Sequence, residues 1–165
     1  MIKSNKGITM VSLVIVVIVM AIIFGITANA GIETMEEAKV KDKITVLSMI
    51  KAKAMGYQEK VNFQAGIDGA KLEAARTAVY EGEAELVKIE DSISSIPGIN
   101  TNNANYYVPK VALDKMGINK NPEDNEYIIS FNDQNLTVEV YLSKGYVIKG
   151  NDIKYSLTEL EGLEM

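Results

Sequence analysis

A chain with neither Cys nor His has few ways to do chemistry. Disulfides, thiolate nucleophiles and Cys-ligated zinc are excluded. So are Ser-His-Asp and Cys-His catalysis, because the commonest general base is missing. Carboxylates remain. Glu81, Glu83 and Glu85 fall on alternate positions of an expected helix, where side chains diverge instead of converging as a catalytic acid pair must. They read as a solvated face. Asn119, Asn121, Glu123 and Asn125 alternate like the oxygen ligands of a calcium loop, but Asp124 and Ser130 stand where such a loop needs its Gly and its final Glu. Asn135-Leu-Thr137 has the form of a glycosylation sequon, on an expected strand. Tyr106, Tyr107, Tyr127, Tyr141, Tyr146 and Tyr155 read as core and rim residues. No phosphate-cradling loop is present. The expectation is a protein that is not an enzyme, with no catalytic residue, no metal site and no cofactor.

The elements that carry these residues differ sharply in charge. No Asp, Glu, Lys or Arg occurs from Gly7 through Ile32, a run of 26 residues. Lys3 and Lys6 precede the run and every acid follows it. Setting those two lysines aside leaves 15 of the 17 basic residues against 22 acids, a net charge of −7. An acidic body argues against general nucleic-acid binding. Ile8 to Ala30 is nearly solid Val, Ile, Leu and Met at its centre. As a helix it would be about 35 Å long, enough to cross a bilayer core of about 30 Å. A helix is also the one form in which a single span satisfies all its backbone groups in lipid. Lys3 and Lys6 place the N-terminus in the cytoplasm and the acidic remainder outside. Three fates fit such a run: a signal anchor, a secretory signal cut near Ala28-Asn-Ala30, or something more particular.

The junction Lys6-Gly7-Ile8-Thr9-Met10-Val11-Ser12 points to the third. A short basic leader ends in Gly and the apolar run begins at once. This resembles the class III signal of type IV pilins and pseudopilins. The resemblance covers the leader and about 25 following residues. It implies that a prepilin peptidase cuts after Gly7 and methylates the new N-terminus at Ile8. It also implies that other pilin-like subunits, of the same or a different chain, pack side by side along the mature helix. Thr9 matches the family pattern, and Met10 and Val11 stand in for the usual Leu and Ile. Ser12 departs from it, because the family usually carries Glu there. That buried carboxylate is costly in lipid and is tolerated in the family by pairing with a neighbour's N-terminal amine, a pair Ser12 cannot make. Some tip-located minor pseudopilins and some Gram-positive pilin-like proteins also lack the Glu. Gly25, Ala28 and Gly31 belong to a small-residue cluster that lets neighbouring helices approach closely.

Beyond the run, Val40, Ile44, Leu47, Ile50 or Lys51, Ala54, Tyr57 and Val61 recur at steps of three and four, a helical stripe. Thr34-x-x-Glu37 has the form of a capping box and marks either a helix restart after Gly31 or a weak spot in one long rod. A second helix is expected over Ala70–Asp91, a loop over Ser92–Asn105, and a short helix between Pro109 and Gly117. Then the period changes to two. Ile129 and Phe131, then Leu136, Val138, Val140 and Leu142, predict a hairpin around Asn132–Asn135, with further strands at Tyr146–Lys149 and Ile153–Leu157.

The expected fold is α+β: a long N-terminal membrane-spanning helix packed on a small antiparallel β-sheet head, which is the pilin-like architecture. Four segments follow: a leader (1–7), a membrane or filament-core helix (8–30), an amphipathic helical stem (31–65) and a globular head (66–165). The expected function is a pilin-like structural subunit of a type IV pilus or pseudopilus, serving adhesion, DNA uptake or secretion. Its partners would be the prepilin peptidase, other pilin-like subunits and membrane lipid. It would lie in the cell membrane, single-pass with the head outside, or in an extracellular filament. The alternative is an uncleaved single-pass anchor carrying an extracytoplasmic binding domain.

Overall fold

The computed structural model describes the backbone of residues 10–66, 69–90, 93, 95–121, 126–148 and 152–163, and side chains from residue 37 onward. Helix α1 covers Met10–Ala65. Helix α2 (Gly69–Arg76) runs into a π-helical stretch, Thr77–Glu83. Strands β1 (Val87–Lys88) and β2 (Ala104–Tyr107) follow, then helix α3 (Lys110–Lys115). Strands β3 (Tyr127–Asn132), β4 (Thr137–Ile148) and β5 (Asp152–Ser156) lead to helix α4 (Leu157–Glu161). The protein is therefore α+β, with an N-terminal helix and a five-stranded sheet. All neighbouring strands are antiparallel, in the order β1-β2-β3-β4-β5. The chain divides into two units between Lys39 and Val40.

In the first unit the backbone is helical from Met10 onward, without a restart at Thr34. The expected membrane span, Ile8–Ala30, has its side chains outside the described residues. Among the described residues no helix is long and apolar enough to cross a membrane.

In the second unit, the part of α1 from Val40 to Ala65 lies against the sheet. Leu47, Ile50, Ala54 and Val61 are fully buried on its inner face. They meet Tyr106, Ile129, Phe131, Val138 and Val140 in one cluster. The register places Tyr106, Ile129 and Val140 side by side across three strands, so one row of the sheet faces the helix. Burying each large aliphatic side chain contributes roughly 1.5–3 kcal/mol. Gln58 is the polar exception in this stripe. Its Nε2 donates to the Asn132 carbonyl at 3.1 Å, which satisfies it inside the core. The opposite sheet face carries a smaller cluster of Ile96, Ile128 and Tyr141, flanked by Tyr107 and Tyr155. The Tyr141 hydroxyl donates to the Gly98 carbonyl at 3.1 Å, tying the preceding loop down. β3 is thus buried on both faces.

Several expected elements are corrected. The helix expected over Ala70–Asp91 ends at Glu83. The Ala84 N–H bonds to the Val79 carbonyl five residues back. This wider winding lets Val79 and Tyr80, adjacent in sequence, both enter the core with Ala75 and Ala84. Glu85, at φ +54, then turns the chain into β1. The loop expected over Ser92–Asn105 ends early, because Ala104 and Asn105 open β2. Buried Asn105 donates to the carbonyls of Asn100 and Asn103. The separate strand expected at Tyr146–Lys149 is the continuation of β4, which bends at a register shift between Tyr141 and Tyr146. Leu157, expected in a strand, opens α4. Ser156 accepts from the Glu159 N–H, and the Glu159 carboxylate accepts from the Ser156 N–H, a full capping box. Asn135 and Leu136 lie in the β3–β4 turn, not on a strand, with Leu136 at φ +56. The short helix starts right after Pro109 and ends before Gly117, whose φ is +77.

Candidate functional site

Processing would act on Gly7 and Ile8, which lie outside the described residues, as does Thr9. Met10, Val11, Ser12, Gly25, Ala28 and Gly31 all sit on the backbone of α1. Gly25 and Ala28 are three residues apart, as are Ala28 and Gly31, so neighbouring members occupy adjacent turns of one helix. Their side chains lie outside the described residues. Nothing in the helix backbone interrupts the run from Met10 to Ala65.

The second half of α1 has two faces. Its inner stripe is the core just described. Three of its lysines lean toward the unit's own acids. Lys43 pairs with Glu126, Lys51 with Glu139 at 3.4 Å, and Lys60 with Glu83. Asp42 receives Lys120 at 2.8 Å. These pairs are partly exposed and contribute little singly. Met49, Met55 and Phe63 point away from the core and are exposed.

A second cluster joins α2 to the β3–β4 turn. Arg76 donates to Glu73 at 2.8 Å and to Asp133, and Lys88 donates to Glu73 at 2.7 Å. Hydrogen bonds from Lys88 and then Arg76 hold the Glu73 carboxyl below the usual carboxylate range. Beneath it, Tyr80 stacks on Phe131 with centroids 4.0 Å apart, and Tyr106 meets Tyr80 edge-on at 5.2 Å. Burial pushes the hydroxyls of Tyr80 and Tyr106 well above their ordinary value, with the Asp133 and Glu81 charges adding to the respective shifts. Arg76 and Lys88 thus occupy the carboxylates of Glu73 and Asp133 in ion pairs. The cluster is a brace between elements 57 residues apart in sequence. A cavity of about 350 Å³ beside it is lined by Asn62, Ala65, Leu72, Asp133 and Leu136, among others.

The other candidates disperse. Glu83 pairs with Lys60 and Glu85 with Lys115 at 2.6 Å, so neighbouring carboxylates are held by different cations. Asn119 and Asn121 are exposed, while Glu123 and Asn125 lie outside the described residues. Among the described residues no group of three or more acidic side chains is placed to hold a metal ion. Tyr106, Tyr127 and Tyr141 are buried; Tyr107, Tyr146 and Tyr155 are half-buried. The Arg76–Asp133 pair carried no sequence signal, since its partners are distant in the chain. Comparison of the chain with known protein families, with curated proteins and with solved structures finds no match.

Proposed function

We propose that this protein is a pilin-like structural subunit of a type IV pilus or pseudopilus. A prepilin peptidase would cut it after Gly7, and it would assemble through side-by-side packing of the helix that starts at Ile8. The observation that carries the reading is the uncharged run of 26 residues that opens immediately after Lys6-Gly7. A helix with no polar face must be covered all round, by lipid before assembly and by neighbouring helices after it. The antiparallel sheet that covers the inner stripe of Val40–Ala65 supports the same reading, because the second half of the helix needs no such partner. Ser12 in place of Glu leaves the mature N-terminal amine without its intersubunit carboxylate, which favours a minor or tip position. The work is mechanical, and the acidic body faces outward from a single-pass membrane segment.

The test is the N-terminus of the protein from its native cell, read by intact-mass and peptide mass spectrometry. A methylated start at Ile8 is expected, and Gly7→Glu should leave only the uncleaved precursor. A start at Met1 in the unaltered protein would replace this reading with an uncleaved anchor bearing a binding domain. A start just after Ala30 would make it a secreted protein.

A further inference from the structure

Asn135-Leu136-Thr137 has the form of a glycosylation sequon, and its expected place on a strand spoke against modification. The structure removes that objection. Asn135 and Leu136 lie in the β3–β4 turn, Thr137 opens β4 directly after it, and all three residues are exposed. A transferring enzyme needs such a surface turn, because it has to reach the whole tripeptide. The acceptor side chain is also positioned. Asn135 Oδ1 accepts from the Thr137 hydroxyl at 2.7 Å and from the Thr137 N–H at 3.3 Å. A backbone N–H can only donate, so the amide oxygen faces Thr137 and the nitrogen occupies the other arm. Both of these hydrogen bonds end on the oxygen, and Nδ2 donates to no acceptor among the described residues. An amide nitrogen is a weak nucleophile until it begins to lose a proton. Charge then builds on Oδ1, and hydrogen bonds to that oxygen favour the charged form. The hydroxyl two positions on thereby has a chemical role in this turn.

We infer that Asn135 is the acceptor of an N-linked sugar on the outward-facing body of the protein. The inference rests on the outward placement that the pilin-like reading and the uncleaved anchor share, and it does not depend on assembly. The donor is a sugar or oligosaccharide carried on a lipid diphosphate. Asn135 Nδ2 bonds to the anomeric carbon of the sugar as the bond from that carbon to the phosphate oxygen breaks. The lipid diphosphate leaves with the electron pair, and the Nδ2 proton passes to a base of the transferring enzyme.

The sequence makes the test direct. Of the 13 asparagines only Asn135 has Ser or Thr two positions on, and trypsin releases it in a single peptide, residues 121–144. Mass spectrometry of that peptide from the full chain in its native cell should show added sugar mass on Asn135, with sugar fragment ions. Asn135→Gln and Thr137→Ala should each abolish it. Thr137→Ser keeps the hydroxyl and should retain the sugar at severalfold lower occupancy, which separates loss of the acceptor chemistry from loss of the turn. An unmodified peptide in the unaltered protein, a sugar that survives Asn135→Gln, or a sugar indifferent to Thr137→Ala would each overturn the inference. Read beside the N-terminal mass, the two proposals separate. A start at Ile8 with an unmodified peptide removes the sugar and keeps the pilin-like reading. A glycosylated peptide from a chain starting at Met1 keeps the acceptor and removes that reading.

Discussion

Helix α1 is written in two chemistries, and the contrast between them lies in where charge falls along one helix. Up to Ile32 the helix is uncharged on every side. From Val40 it is amphipathic, with one buried stripe and lysines around it. Backbone geometry is the same in both parts. The difference lies in where each part finds its cover. The second part is covered by its own sheet, so its stability is a property of one chain. Under the function proposed above, the first, with no stripe to aim at a single partner, would take its cover from lipid or from other helices.

Raising the pH should expose the contrast most strongly. Burial holds the hydroxyls of Tyr80, Tyr106 and Tyr127 above their ordinary value of about 10. Folded-state values above the unfolded one mean that this contribution to stability is complete below about pH 10 and is lost as the pH climbs from there toward the folded values. The unit from Val40 onward should unfold in that window, while the first part of α1, which contains no Tyr, keeps its helix. Circular dichroism alongside tyrosinate absorbance of the full chain in detergent checks this. Tyr80→Phe should move the transition upward; an unmoved transition would mean that this phenol does not control it.

Core truncation should come next. Leu47→Ala removes a fully buried side chain from the helix–sheet interface and should cost about 3 kcal/mol, read as a lower denaturant midpoint. The same truncation at Ile18, in the uncharged part, should leave that midpoint unchanged. Equal effects at the two sites would break the comparison. Gly145→Ala should cost about 2 kcal/mol, because Gly145 sits at φ +68 and its new Cβ would press on Ile153 and lie 2.9 Å from the Tyr155 ring. Smallest is Ser156→Ala, at about 1 kcal/mol, from loss of the α4 cap. It should shift the thermal midpoint by a few degrees without altering the first part of α1.

Much of this was legible because it is local. The α1 stripe from Val40 to Val61 could be read from spacing, since a helix repeats its faces every three to four residues. The β3–β4 hairpin could be read from alternation about Asn132–Asn135. The α4 cap was equally legible in Ser156-x-x-Glu159, but Leu157 was assigned to a strand because a run of apolar alternation led into it. The elements that escaped all depend on distant partners. β1 exists because Lys88 and Val87 pair with Tyr106 and Tyr107. The π-helical stretch exists because Val79 and Tyr80 must both reach Phe131 and its neighbours. The Arg76–Asp133 brace joins α2 to a turn 57 residues on.

The amino-acid order by itself determined the chemistry this protein lacks, through the missing Cys and His. It also determined where charge stops and starts, and which side of α1 from Val40 onward is apolar. These are properties of composition and of short-range periodicity, and they hold in any conformation the chain adopts. The tertiary structure alone decided that β3 is buried on both faces, that the lysines of α1 divide between sheet-facing pairs and an open flank, and that Met49, Met55 and Phe63 are left exposed. Each of these depends on which surface lies opposite a residue, and no local pattern in the chain encodes that.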